Sequence, residues 1–309
     1  RTITRSIWAY RASRVVLDAV TYPTWPVIEV RFRVTWNEER RRLKLRVPTS
    51  LGPASLFCEV PGGATSRPAD GEEHVHGRWL VIEGSSPRSR KTAASDNGPM
   101  ALGIATSGQH GFDFMDGELR LSVLRSSAYC HERGFDLARK GTHTSMCPPS
   151  WKFAEIGVHE FRLLVTAGVP ASVKAMMPGL ADHLAAPPAA HAHLPYDSSL
   201  APSTETLISL RPSTIRLLAC KRSWDGKALV IRFQDTVGKR TKAGLAVSLP
   251  AGDMGNKIGD TCPRDMSSPD PERGHVQVHI PLLFAPFEIK TLRVEKNGTW
   301  REVRLIEED

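Results

Sequence analysis

Apolar and charged residues alternate along Val27-Ile-Glu-Val-Arg-Phe-Arg-Val34, as they must on a strand with one buried and one solvated face. The same period recurs in Leu119-Arg-Leu-Ser-Val-Leu124, Leu229-Val-Ile-Arg-Phe233 and Val276-Gln-Val-His-Ile280. Asp70-Gly71, Asp116-Gly117, Asp225-Gly226 and Asn297-Gly298 punctuate these runs as turns. Regularly spaced strands with such turns predict an all-β fold built from antiparallel sandwiches: a large supersandwich followed by a small one. The final unit, Thr291 to Arg304, is predicted as a hairpin with a two-residue type I′ loop at Asn297-Gly298. One stretch breaks the pattern. Val173, Met177, Leu180 and Leu184 line one helix face, and Pro178 predicts that the ordered helix begins there, at a tolerated first-turn position. The Pro-, Ala-, His- and Ser-rich run that follows cannot bury much and reads as a connector. The expected organisation is therefore a supersandwich over 1–185, a connector over 186–206 and a small sandwich over 207–309. Ser85 to Gly98 reads as a polar loop.

Composition narrows the classes. The chain has 309 residues, of which 40% are hydrophobic and 24% charged, enough for a real core and a solvated surface. No apolar run approaches the ~18 residues of a membrane span. The net charge is +8. The densest basic run, Arg40-Arg41-Arg42-Leu-Lys44-Leu-Arg46, alternates, which puts its charges on a solvated face opposite Leu43 and Leu45. No aromatic-interleaved basic motif accompanies that charge, so nucleic acid is not an expected partner. Arg1-Thr-Ile-Thr-Arg5 has neither an initiator Met nor an apolar signal region and reads as mid-strand, as if the chain began inside a longer protein. Five cysteines (Cys58, Cys130, Cys147, Cys220 and Cys262) follow no framework spacing, so free thiols and a cytoplasmic, reducing location are expected. Asn297-Gly-Thr299 fits a glycosylation triplet but is better explained as a turn.

Candidate chemistry is sparse. Glycosidases need two carboxyl groups flanking the scissile bond, ~5 Å apart in retaining enzymes. Glu72 and Glu73 are adjacent and would point to opposite faces of a strand. Glu59 and Asp70 could meet across a turn, although pairing of these carboxylates with Arg67 or Arg78 is the favoured reading. His74-Val-His76 and His191-Ala-His193 offer two ligands each, short of a zinc site, and read as solvated histidines. Cys130-His131 and His143-Thr-Ser-Met-Cys147 could wrap one zinc or form a disulfide, but neither has a standard spacing, and a loop with free thiols is favoured. Trp79, in an alternating run, reads as core rather than as a sugar platform.

Four blocks, in order, carry a resemblance: Glu59-Val-Pro to Arg67-Pro-Ala-Asp-Gly-Glu-Glu73 with Arg78-Trp79; Gly117-Glu-Leu-Arg-Leu-Ser-Val-Leu-Arg125-Ser; Gly157-Val-His-Glu-Phe161-Arg-Leu-Leu; and Pro286-Phe-Glu-Ile-Lys290-Thr-Leu-Arg. Together they resemble the C-terminal β half of glycoside hydrolase family 38, the α-mannosidases. The resemblance implies a galactose-mutarotase-like supersandwich that packs on an N-terminal catalytic half. That half would supply the nucleophilic Asp and a zinc held by His and Asp residues, so neither a catalytic residue nor a metal ligand is assigned here. It also implies that Arg125, at the family's Leu-Leu-Arg-Ser position, approaches the sugar cleft, with Arg133 as a second candidate. A guanidinium fork suits bridging sugar hydroxyls to a carboxylate, whereas a local pairing with Glu132 or Asp136 is the alternative. α-Mannoside glycans, the catalytic half and self-association as a homo-oligomer are the implied partners. The sequence departs from the family where Gly62, not an aromatic, follows Glu59-Val-Pro61, and where the loop after Arg125 is long. Two rivals remain: a non-catalytic carbohydrate-binding β-sandwich, and a basic nucleic-acid-binding domain, the latter distinguishable by salt-dependent binding.

Overall fold

The structure is a computed structural model and describes residues 1–85, 98–127, 153–189, 206–250 and 275–306. The chain divides into two units, Arg1–Ala189 and Ala190–Asp309.

In the first unit the elements run β1 (Thr2–Tyr10), β2 (Ser13–Tyr22), β3 (Trp25–Trp36), β4 (Arg42–Pro48), β5 (Ser55–Val60), β6 (Gly63–Arg67), β7 (His74–Val75), β8 (Trp79–Gly84), β9 (Met100–Thr106), β10 (Gly111–Met115), β11 (Glu118–Arg125), β12 (Gly157–Gly168) and α1 (Pro170–Ala185). An eight-stranded sheet has the order β1-β2-β3-β12-β9-β8-β5-β6, and a four-stranded sheet the order β4-β11-β10-β7. Pairing is antiparallel, as in the β3–β12 and β4–β11 ladders. Alternation along each strand divides the residues between two cores. Phe32, Val34, Trp36, Leu80, Ile82, Ile104 and Leu163 of the large sheet meet Phe112, Phe114, Leu119, Leu121 and Leu124 of the small one. Each such side chain, fully buried, contributes about 1.5–3 kcal/mol of transfer free energy. The intervening residues of the large sheet, Val27, Trp79, Val81, Ala101, Ala105 and Leu164, pack instead under Val173, Met177, Leu180, Ala181 and Leu184 of α1.

The helix face matches the sequence reading, but its start does not. α1 begins at Pro170, and Pro178 lies inside it, buried. Pro170 at the start of the helix forfeits an N–H that would be unbonded there in any case. Packing on the sheet offsets the backbone bond that Pro178 removes. Gly103 of β9 lets the helix sit close: a Cβ there would lie 2.5 Å from Met177 Sδ and 2.7 Å from Val173 Cγ1.

The second unit comprises β13 (Ile208–Arg211), β14 (Ile215–Arg222), β15 (Ala228–Asp235), β16 (Thr241–Pro250), β17 (His275–Phe284), β18 (Ile289–Glu295) and β19 (Trp300–Val303). Sheets β13-β16-β17 and β14-β15-β18-β19 enclose Ile231, Phe233, Leu245, Val247, Ile280, Phe284 and Leu292. Asp235, fully buried, accepts backbone N–H groups of Gly238 (2.8 Å) and Phe287 (3.0 Å), and so ties two turns together. The final hairpin corrects the expected loop. Gly298 has φ +85° while Asn297 is not left-handed. Gly298 N–H donates to Glu295 O at 2.9 Å and Glu295 N–H to Thr299 O at 2.8 Å. These bonds describe a type I turn followed by a left-handed glycine, because the Asn297 side chain accepts from Thr299 N at 3.0 Å and holds its own backbone out of the type I′ form. The two-residue I′ loop occurs at Asp116-Gly117, with φ of +52° and +75°, joining β10 to β11.

Candidate functional site

Arg125 is the last residue of β11 and stands opposite Arg42 of β4. Its strand end is fastened from below. Arg125 N–H donates to Glu155 Oε2 at 2.8 Å. The next residue, Ser126, is fully buried, donates its backbone N–H to Arg41 O (2.9 Å) and accepts Trp36 Nε1 at 3.0 Å. Its hydroxyl donates to Glu38 O, and Glu38 in turn accepts Ser13 Oγ at 3.0 Å. The Arg125 residue is exposed, and among the described residues no ion pair engages its guanidinium. A backbone so fixed presents a guanidinium fork, a shape that can bridge hydroxyls and a carboxylate brought to it. Arg133 and the alternative local partners Glu132 and Asp136 lie outside the described residues, as do Cys130, His131, His143, Cys147, His191 and His193.

Beside Arg125, the outer face of the four-stranded sheet is a lattice of charge. Arg42 Nη1 and Lys44 Nζ donate to Glu73 Oε2 at 2.5 and 2.6 Å, and Ser122 donates to the other oxygen. Burial raises the Glu73 carboxyl pKa, but Lys44 and Ser122 outweigh it and hold the group below its ordinary value. Lys44 and Arg120 both pair with Asp113, which is buried. Arg42, Lys44 and Arg46 are therefore on one face, as their alternation requires, but locked into ion pairs. Asp113 was detectable only as a lone acid in the alternating Gly-Phe-Asp-Phe, and its partners come from β4 and β11.

The carboxylate candidates do not form a pair. Glu59 is committed to Arg78, through Nη2 at 2.5 Å and the backbone N–H at 2.5 Å. Arg78 Nη1 reaches on to Asp182 of α1 at 2.6 Å, pinning the helix end to the sheet. Asp70 pairs with His74 Nε2 at 2.9 Å and caps Glu72 N–H at 3.0 Å. The His74 and His76 pair departs from the solvated reading. His74 is half-buried, and His76 is 2% exposed with neither ring nitrogen bonded. Burial, and repulsion from His110, push the His76 pKa down to about 4. His74, Val75 and His76 alternate as half-buried, exposed and buried, so the two rings share the inner face, and with the apolar Val75 pointing outward no apolar residue marked that face as the buried one. Trp79 is core, 2% exposed beneath α1. Among the described residues no three His, Cys, Asp or Glu side chains converge to hold a metal, so a zinc ion finds no fitting donor set there. Cys58 is buried and Cys220 exposed, both as free thiols, while Cys130, Cys147 and Cys262 lie outside the described residues. No helix among the described residues is long and apolar enough to cross a membrane.

Residues 2–133 match the family model described as the glycosyl hydrolases family 38 C-terminal domain. The fold is similar to that of a protein in the glycosyl hydrolase family 38 from Enterococcus faecalis, with a TM-score of 0.60 and 14% identity over 92% of this chain and 30% of that one. It is also similar to an alpha-mannosidase from Enterococcus faecalis V583, with a TM-score of 0.58 and 14% identity over 92% of this chain and 29% of that one. At such identity the likeness speaks for the fold alone, and the chain spans about 30% of the length of these structures. No curated protein matches it.

Proposed function

We propose that this chain, whose residues 2–133 carry the C-terminal domain of glycosyl hydrolases family 38, is the β portion of a retaining α-mannosidase. It packs on a catalytic half outside these residues and forms one wall of that half's cleft. The observation that carries this reading is the family match over residues 2–133, and the 30% share of a longer family 38 protein is consistent with it. In this reading Arg125 is the wall's contribution to the sugar site. Its backbone is fixed by Glu155 and Ser126 while its fork is left for hydroxyls and a partner carboxylate. Arg133 is kept as a second contact on the resemblance alone. The nucleophile and the zinc belong to the catalytic half, because Glu59 and Asp70 already serve Arg78 and His74. The substrates are α-mannoside glycans and the location is cytoplasmic.

The test is to purify the chain alone and measure bound zinc after dialysis and hydrolysis of an aryl α-mannoside. The expected result is neither stoichiometric zinc nor turnover. Hydrolysis abolished by changing Glu59 or Asp70 would place a complete active site in these residues and overturn the reading.

A further inference from the structure

We propose that the part of the large sheet's outer face left uncovered by α1 binds an oxyanion: the phosphate, sulfate or carboxylate of an acidic saccharide. The saccharide half of this statement rests on the glycosidase reading, whereas the anion half rests on geometry.

Register places Arg5 of β1 opposite Asp18 of β2, Asp18 opposite Arg31 of β3, and Arg31 opposite Arg162 of β12. Directly opposed residues share a face, so four charged side chains form a row about 14 Å long across strands spaced ~4.8 Å apart. Arg33, two residues along β3, stands opposite Glu160. A cleft of about 700 Å³ lies over this row, lined by Arg5, Asp18, Arg31, Arg33, Glu160 and Arg162.

Charge in the cleft is not balanced. Arg5 is held by Asp18 through two bonds of 2.6 and 2.7 Å, and Arg33 meets Glu160 loosely at 3.3 Å. Arg31 and Arg162 are like charges directly opposite each other, an arrangement that costs stability unless something shared lies between them. What they share is Glu29, two residues before Arg31 on β3 and 4% exposed. Glu29 accepts Arg31 at 2.9 and 2.8 Å and Tyr22 Oη at 2.7 Å, and meets Arg162 only at 3.5 Å. One carboxylate thus serves two guanidiniums and a phenol. Among the described residues, no hydrogen bond uses Arg31 Nη1 or the Arg162 guanidinium. Both side chains remain accessible, 41% and 38% exposed. Planar forks with unspent donors match the oxygens of a phosphate or carboxylate. A neutral sugar would leave the excess charge uncompensated, and a cation would be repelled by it.

The experiment is calorimetric titration of the whole chain at low salt with three probes: inorganic phosphate, a hexose 6-phosphate and the free hexose. The variants are Arg33→Gln/Arg162→Gln, Arg33→Gln alone in case the double variant does not fold, and Arg46→Gln as a control on the other sheet, where Arg46 pairs with Glu118. Circular dichroism confirms that each is folded. The expected result is binding of the hexose phosphate that weakens with added salt. Affinity should fall tenfold or more in the double variant, by a smaller but clear factor in Arg33→Gln, and not at all in Arg46→Gln. Inorganic phosphate binding as tightly as the hexose phosphate would support the anion site and overturn its saccharide assignment. No binding of either anion, equal binding of the free hexose, or an equal loss in Arg46→Gln would overturn the site. None of these outcomes bears on mannoside hydrolysis, so the two readings fail separately.

Discussion

Replacing Gly103 by alanine tests how closely α1 is seated on the large sheet. The added Cβ would lie 2.5 Å from Met177 Sδ and 2.7 Å from Val173 Cγ1. Favourable contacts between carbon atoms need ~3.5–4.0 Å, so the overlap is about 1 Å on two side chains. Met177 is an unbranched thioether and can turn aside. Val173 is β-branched, has one favoured rotamer in a helix and cannot. The helix must shift or the core must strain, at a cost of about 1–3 kcal/mol. Hydrogen exchange followed by mass spectrometry reads this locally. Amide protection in α1 should fall by about 5- to 150-fold, following the tenfold change per 1.4 kcal/mol. Peptides from β18 and β19, in the other unit, should not change. Val173→Ala alone should also weaken protection, but the double variant should be less damaged than the sum of the singles by about 1 kcal/mol, because the stiff partner of the clash is gone. Unchanged protection in α1, or strictly additive effects, would refute the close seating of the helix.

Three further outcomes follow from the same geometry. His76, held down to about 4 by burial and His110, is neutral when folded and titrates near its ordinary value when unfolded. The unfolded chain therefore binds more protons between those values, and the unfolding free energy from urea titrations should fall as the pH drops from 6.5 toward 4, by about 3 kcal/mol in total; a His76→Phe variant that keeps the full slope would contradict this assignment. Glu59→Gln weakens the tie from β5 through Arg78 to α1 and should cost about 1–2 kcal/mol, discounted because Arg78 is partly solvated, while leaving mannoside turnover in the complete enzyme unchanged; a collapse of kcat would return Glu59 to the catalytic candidates. A thiol reagent applied under native conditions should label Cys220 and spare Cys58 until urea is added, as peptide mass mapping would show; early labelling of Cys58 would mean that the β5 core opens readily.

Local patterning was legible in the sequence where one strand or one helix face suffices to set it. Val27 to Val34 alternates and forms β3, and Val173, Met177, Leu180 and Leu184 face the sheet as their spacing requires. The strand order was not legible. Nothing local to Arg42–Pro48 says that β4 leaves β3 and joins β11 in a second sheet, since that choice is made by side chains 70 or more residues downstream. The helix starts eight residues before Pro178, at Pro170, because the intrinsic penalty on an interior proline is overridden by tertiary packing. His76 illustrates the same limit at the candidate site. Its two-residue spacing from His74 suggests a shared fate, yet one ring pairs with Asp70 and the other is sealed against Phe112. The Glu59 pairing with Arg78 is among the alternatives the sequence offers, and the pairing of β5, which carries Glu59, with β8, which Arg78 immediately precedes, brings them together. The lattice of Arg5, Asp18, Arg31 and Arg162 was invisible, because only the register of four strands aligns it.

The central claim is that this β portion walls a mannosidase cleft with Arg125. It is tested most directly by steady-state hydrolysis of an aryl α-mannoside by a polypeptide that joins this chain to the catalytic half proposed for it, with and without Arg125→Ala. Because the Arg125 backbone is fixed by Glu155 and Ser126 while its guanidinium is exposed, the substitution should leave the thermal midpoint nearly unchanged. Turnover should fall by at least tenfold, the effect of losing roughly 1.4 kcal/mol of transition-state contact. Full activity in the Arg125→Ala enzyme, or a loss of activity explained wholly by lost stability, would contradict the account.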